Sequence, residues 1–272
     1  MKDYLIDTHC HIQLIDDTTE DNTSKLWHKD PEITLQSVIN SAAEQKVNIL
    51  MAIGCNLTDS LLAVKVANKY PNIYASVGIH PHEATAFRKD FELNKSKFEQ
   101  LIKNEKVKAI GECGLDYFYN YSNKADQIEV FEFQLSMAEK YNLPVVFHVR
   151  QAFNDLWPIL EKYQNIRGVL HSFTDNMDNL NEALKRGLYI GVNGIVTFAK
   201  DDSQLSVYRA VPIKNLLIET DSPYLTPVPY RGKINQPRNV RIITKFVANL
   251  LDTREEEIVD QTTQNAINLF NF

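Results

Sequence analysis

Cysteine is scarce in this chain. Its three residues, Cys10, Cys55 and Cys113, form no CxxC pair and are odd in number, which argues against a disulfide framework and for a reduced, cytoplasmic environment. Glycine and proline are also few, nine and ten in 272 residues, and no Ser/Gly-rich or Pro-rich stretch reads as a linker, so one domain over residues 1–272 is expected. No apolar run approaches membrane-spanning length, and the start Met1-Lys2-Asp3-Tyr4 carries an early acid and no apolar segment, so no membrane partner is expected. An excess of basic charge is missing as well. The net charge of −6 speaks against a surface that coats nucleic acid broadly, while leaving local recognition open, because bound divalent cations add positive charge that a residue count omits. Finally, no Gly-rich dinucleotide fingerprint follows the first apolar run, which removes the main support for a Rossmann fold.

What the chain does have is a repeated unit. Short apolar runs end, one after another, in a metal-binding or polar residue: Tyr4 to Thr8 before His9 and His11, Ile73 to Ile79 before His80, and Val107 to Gly111 before Glu112. The second half continues with Pro144 to Phe147 before His148, Gly168 to Leu170 before His171, Tyr189 to Val192 before Asn193, and Leu216 to Ile218 before Glu219 and Asp221. An eighth run, Val47 to Ile53, ends at Gly54-Cys55. Such runs read as parallel strands buried on both faces. Between them lie helical patterns, with apolar faces at Leu35, Val38, Ile39, Ala42 and Ala43 and at Ile128, Phe131, Leu135 and Ala138. Further helices are expected near residues 59–70, 91–103, 154–163, 178–186, 201–210, 239–251 and 255–269. Eight strands alternating with helices favour a TIM (β/α)8 barrel with its site at the carboxyl ends of the strands. The polar segment Asp16 to Asp30 reads as a solvated loop over the barrel mouth.

Period-two geometry sends His9 and His11 to one face of their strand and Cys10 to the other. The pair is either a two-toothed metal clamp or two hydrogen-bonded strand histidines, and Cys10 reads as a buried, inert thiol. Glu112 sits in Gly111-Glu112-Cys113-Gly114-Leu115-Asp116, where glycines permit a tight turn. A carboxylate there can bridge two cations, or it is a surface acid opening a loop. Asp116 would then cap a helix or turn the backbone. His148 and His171 end separate strands, as ligands or as satisfied core residues. Asp221 either ligates a metal and takes a proton from activated water, or caps the turn before Pro223. Glu219 faces the same side and reads as a supporting residue. Four histidines and two carboxylates from five strand ends make a two-metal hydrolase constellation, and nitrogen and oxygen ligands without thiolate suit Zn, Mn or Mg.

The ordered set resembles the TatD family of metal-dependent deoxyribonucleases, among the amidohydrolase-like barrels. It runs nearly end to end: Asp7-Thr8-His9-Cys10-His11, Val77-Gly78-Ile79-His80-Pro81-His82, Gly111 to Tyr117, His148-Val149-Arg150, His171-Ser172-Phe173 and Glu219 to Leu225. The resemblance implies that His9, His11 and Asp221 hold one metal, that Glu112 bridges, and that His148 and His171 hold the other. It places His80 near the scissile group and Arg231-Gly232-Lys233 on the substrate side. Two departures stand out: the segment after His11 is longer and more polar than the family's, and the expected His-Cys-Phe reads His171-Ser172-Phe173, a change that spares the ligand.

The expectation is therefore a cytoplasmic, monomeric hydrolase with two divalent cations (Mg, Mn or Zn) that cleaves DNA phosphodiester bonds as a 3′-to-5′ exonuclease on single strands or 3′ ends. Asp221, Glu112 and His80 carry the chemistry. Arg150, Arg231 and Lys233 are expected to contact phosphate, though such residues at loop tips are often merely solvated. Tyr117, Phe118, Tyr119 and Tyr121 either stack bases or pack their loop. Two rivals remain: an ester or amide hydrolase such as a D-aminoacyl-tRNA deacylase, and a non-catalytic nucleic-acid adaptor. Digestion of single-stranded DNA or release of an amino acid from tRNA separates the first rival. Retention of both acids beside four histidines counts against the second.

Overall fold

The computed structural model of the protein describes residues 2–17 and 21–272. Its eight strands are β1 (Leu5–Cys10), β2 (Val47–Ala52), β3 (Ile73–Val77), β4 (Val107–Asp116), β5 (Val145–Arg150), β6 (Gly168–Leu170), β7 (Tyr189–Val192) and β8 (Leu216–Ile218). They are hydrogen-bonded in one sheet in sequence order, β1 to β8, with helices in the connections, the succession of a TIM (β/α)8 barrel. Among the described residues no helix is long and apolar enough to cross a membrane. The chain divides into two compact units, Met1–Ala52 with Ser172–Asn271, and Ile53–His171 with Phe272.

In the first unit every residue of β1 is buried, the polar Asp7, Thr8 and His9 as well as Leu5, Ile6 and Cys10, so the strand packs on both faces. β1 runs parallel to β2, with Leu5 opposite Val47 and Cys10 opposite Ala52, and β7 runs parallel to β8. The Thr8 hydroxyl donates to the Ile218 carbonyl (3.1 Å), and Cys10 bridges to Ser222. A buried carboxylate completes that seam: Asp7 accepts from Thr220 N–H (2.9 Å), the Thr220 hydroxyl (2.5 Å) and His9 N–H (3.3 Å). Burial pushes the Asp7 carboxyl up to about 8 against those three donors. The segment read as a loop is partly a helix, Asn22–Trp27, because Asp21 caps its amide ends and Trp27 is fully buried, its indole N–H donating to the His11 carbonyl at 3.0 Å. Residues 18–20 of that segment lie outside the described residues. The helix Leu35–Glu44 buries Leu35, Val38, Ile39 and Ala42 as expected, but Ala43 faces solvent.

The second unit contains β3 to β6. β4 is longer than the apolar run Val107 to Gly111, continuing through Glu112 to Asp116. The glycines there do not turn the chain into a loop. They let it pass close to β5: a Cβ on Gly111 would lie 2.5 Å from the Val146 carbonyl oxygen, and one on Gly114 2.1 Å from that of His148, both with φ in the range that glycine tolerates. This carries the strand on past Gly111, through Gly114 opposite His148 to Asp116 opposite Arg150. The helix Lys124–Tyr141 buries Phe131, Leu135 and Ala138, but Ile128 is only half-buried and Gln127 and Gln134 occupy the inner face. Gln134 accepts from Ile79 N–H (2.7 Å) and donates to the Ile79 carbonyl (3.0 Å). Gln127 does the same at Asp116 (2.9 and 3.0 Å). One helix thus fixes the backbone beside His80 and at the end of β4 with amide pairs that satisfy buried main-chain groups.

Candidate active site

In the first unit the ends of β1 and β8 bring together His9, His11 and Asp221. Both histidines are buried, and their Nε2 atoms lie 3.6 and 3.3 Å from Asp221 Oδ1. Asp221 stands on a left-handed turn (φ 57°), held by its own N–H donating to the His9 carbonyl at 2.8 Å. The turn before Pro223 is closed by the Asp221 carbonyl, which accepts from Tyr224 N–H, so the side chain is left to face the histidines. Cys10 points away, its thiol 3.3 Å from the Met51 carbonyl and pushed well up by burial, as period two predicts for an inert sulfur. Glu219 accepts from Ser172 N–H (2.7 Å) and lies 3.5 Å from Asn193 Nδ2, a bracing role for the residue that follows His171.

In the second unit three imidazoles meet one carboxylate oxygen. Glu112 Oε1 lies 2.7 Å from His148 Nδ1, 3.6 Å from His80 Nε2 and 4.0 Å from His171 Nε2. Glu112 is buried and continues a strand, so it is not a surface acid opening a loop. His80, expected beside the scissile group and outside the ligand set, falls within ligand reach: its ring, Glu112 and His148 offer donor atoms all within 4.8 Å of one another. Behind them Asp116 Oδ2 lies 3.0 Å from both His148 Nε2 and His82 Nε2, while its Oδ1 accepts from Phe118 and Tyr119 N–H at 2.9 and 3.0 Å. Asp116 therefore turns the backbone and also orients two rings. From sequence alone Asp116 reads as a helix cap or a turn residue, and His82 carries no role. The signal available was the His-Pro-His spacing at residues 80–82 and the acid that closes the β4 motif.

Electrostatics follow from this packing. Burial and the neighbouring His148 hold His80 well below the usual imidazole range, which keeps the ring neutral. Burial also disfavours charge on His148, but the carboxylates of Asp116 and Glu112 outweigh it and raise that ring to about 9. Burial would raise Asp116, yet the histidines and backbone N–H groups around it hold its carboxyl well below the carboxylate range. The donor sets fit divalent cations. Each unit offers imidazole nitrogen and carboxylate oxygen, and His148 meets Glu112 with one nitrogen and a carboxylate with the other, the arrangement by which an outer acid orients a histidine ligand.

Of the three cations expected at substrate, Arg150 is at the end of β5 with its guanidinium carbon 3.9 Å from the Phe118 ring centre and 4.9 Å from that of Tyr119. Arg231 lies 3.8 Å from the Phe198 ring centre and donates to the Thr226 carbonyl at 3.1 Å. The Lys233 ammonium is 5.8 Å from the Tyr230 ring centre. Cys55, which from sequence alone only ends the Val47 to Ile53 run, places its thiol 3.8 Å from Glu112 Oε2.

The family model described as TatD related DNase matches residues 6–271. The chain belongs to the TatD family. Among curated relatives, a metal-dependent hydrolase of Buchnera aphidicola is 36% identical over 270 residues, covering 98% of this chain and 96% of the relative. The 3′-5′ ssDNA/RNA exonuclease TatD of Citrobacter rodentium is 33% identical over 255 residues, covering 91% and 94%. Among solved structures, a TatD homologue from Escherichia coli superposes with a TM-score of 0.84 at 25% identity over 98% of each chain. Membership of the TatD family makes this chain a metal-dependent hydrolase on a TIM barrel, with a His/Glu cluster able to hold a metal ion.

Proposed function

We propose that the protein is a two-cation phosphodiesterase that removes nucleotides from the 3′ ends of DNA as a monomeric, single-domain enzyme. One observation carries this reading: Glu112 Oε1 is approached by His80, His148 and His171 in a chain whose family is that of the TatD DNases. The exonuclease name of the Citrobacter relative supports the polarity. His9, His11 and Asp221 would hold one cation, and His148 and His171, with Glu112, the other. Bound divalent cations supply Lewis-acid activation of water and charge neutralisation at phosphorus. Asp221 takes the proton of the attacking water, Glu112 and the histidines keep the donor atoms in place, and neutral His80 orients toward the scissile phosphate while the 3′-oxygen leaves. Arg150, Arg231 and Lys233 are the proposed phosphate contacts.

The test is digestion of a 5′-labelled single-stranded oligonucleotide by metal-stripped protein restored with Mg, Mn or Zn. The expected result is a ladder shortening from the 3′ end that needs added cation and stops with chelator. Absence of digestion with every metal overturns the reading, and release of an amino acid from aminoacyl-tRNA under the same conditions moves the scissile bond to a carboxylic ester.

A further inference from the structure

Just past β4 the chain exposes large rings that a folded protein has no internal reason to expose. Phe118 is 50% exposed, Tyr119 40% and Tyr121 68%. They are ordered against one another: Phe118 and Tyr119 meet edge to face at 4.7 Å, and Tyr119 and Tyr121 stack at 5.5 Å with planes 29° apart. Arg150 lies over the first two rings, and His82 lies 5.5 Å from Tyr119 and 4.8 Å from Tyr121. Tyr117 is turned elsewhere, its hydroxyl donating to Asp155 at 2.7 Å, so the loop packs with that ring and leaves the other three outside.

We propose that Phe118, Tyr119 and Tyr121, with Arg150, form a base-stacking ledge that seats unpaired bases near the 3′ end of single-stranded nucleic acid. This rests on the nuclease reading above. Three arguments support the occupant. Exposed rings stack on any base whose face is free, and bases inside a duplex have no free face. The Arg150 guanidinium, stacked on the rings, adds a cation for backbone phosphate beside the ledge, in a chain whose net charge is −6. The ledge is also continuous with the hydrolytic cluster: Asp116 accepts from the N–H groups of Phe118 and Tyr119 with one oxygen and meets His148 and His82 with the other. A base seated on the rings is thereby registered to Glu112 and His148 through a single carboxylate.

The experiment measures binding and 3′ trimming of three oligonucleotides of one length: single-stranded, blunt duplex, and single-stranded with abasic residues at its 3′ end. Wild type should favour the base-carrying single strand over both others. In Phe118→Ala/Tyr119→Ala the preference over the abasic strand should fall by about 5- to 150-fold, the range for loss of one stacked base. Metal content should stay at the wild-type ratio, and Tyr119→Phe, which keeps the ring, should keep the preference. An unchanged preference in the double alanine variant, with wild type still digesting single strands, overturns the ledge and leaves the nuclease reading standing. A variant whose preference persists while its sedimentation changes overturns it in favour of contact between copies of this chain. Wild type that binds no oligonucleotide overturns both readings together.

Discussion

Around Glu112, three imidazoles converge on one carboxylate oxygen and a second buried acid, Asp116, fixes two rings from behind; around Asp221, two imidazoles meet a carboxylate borne on a left-handed turn. The Glu112 side chain is 6% exposed and that of Asp221 15%. The difference suits the two tasks proposed for these acids. A carboxylate that must keep several donor atoms at fixed spacing benefits from burial and from partners on every side, whereas one that accepts a proton in each turnover must return it to water. The strand extension allowed by Gly111 and Gly114 delivers Glu112 and Asp116 on rigid backbone, while Asp221 hangs from the turn after β8, its N–H donating to the His9 carbonyl and its own carbonyl accepting from Tyr224 N–H.

Breaking the holding side should have the largest effect. Glu112→Gln keeps size but removes the negative charge on which His80, His148 and His171 converge. Metal content and hydrolysis should both fall to background while circular dichroism remains that of the wild type. Full metal content together with full turnover would abolish the distinction drawn between the two acids.

Asp221→Asn comes next and should separate chemistry from binding. The amide retains the shape of the turn but cannot take a proton, so turnover should drop by about 10²-fold or more, the scale of lost general-base assistance. Affinity for an oligonucleotide should change much less, because Glu112 and its histidines still offer a cation site. Loss of affinity as large as the loss of turnover would show that Asp221 holds rather than exchanges. A smaller effect is expected at Asp116→Asn. The neutral side chain can still accept from the Phe118 and Tyr119 N–H groups but orients His148 and His82 less firmly, and apoprotein titration should show metal affinity weakened by about 10- to 100-fold. Unchanged affinity would leave Asp116 a turn residue, as its sequence context alone reads.

These acids were legible in the sequence to different degrees, for physical reasons. The strands were plain because most of them are short, largely apolar runs with a polar terminus, and the ligand candidates are those termini. The length of β4 was hidden because glycine signals a turn locally, whereas here it answers a close approach by β5 that only the folded sheet reveals. The helix Asn22–Trp27 was hidden by its polar composition, since its anchors are a buried indole bonded to the His11 carbonyl and a buried Ser24 hydroxyl bonded to Asp17. Gln127 and Gln134 escaped because periodicity counts apolar residues, and an inward-facing amide that pairs with backbone looks like a surface residue until its partner is known. The roles of Asp116 and His82 escaped for a related reason: the pair is 34 positions apart and meets only through the fold.

The finest contrast lies between the cations of the two units. Arg150 is stacked on Phe118 and Tyr119, whereas Arg231 is stacked on Phe198 and also donates to the Thr226 carbonyl, and Lys233 has its carbonyl bonded by the Thr226 hydroxyl (2.6 Å) within the same loop. If both groups meet the nucleic-acid backbone, each behaves as a phosphate contact whose removal releases fewer counterions on binding. Replacing Arg231 and Lys233 together by Ala should then weaken binding of single-stranded DNA modestly and reduce the slope of log affinity against log salt by about 1.4, at ~0.7 per phosphate contact on a single strand. The preference for base-carrying over abasic 3′ ends should remain, because the stacked rings lie in the other unit. An unchanged salt slope would take Arg231 and Lys233 off the substrate path, leaving Arg150 to carry the electrostatic contact and the 226–233 loop to a structural role supported by its own hydrogen bonds.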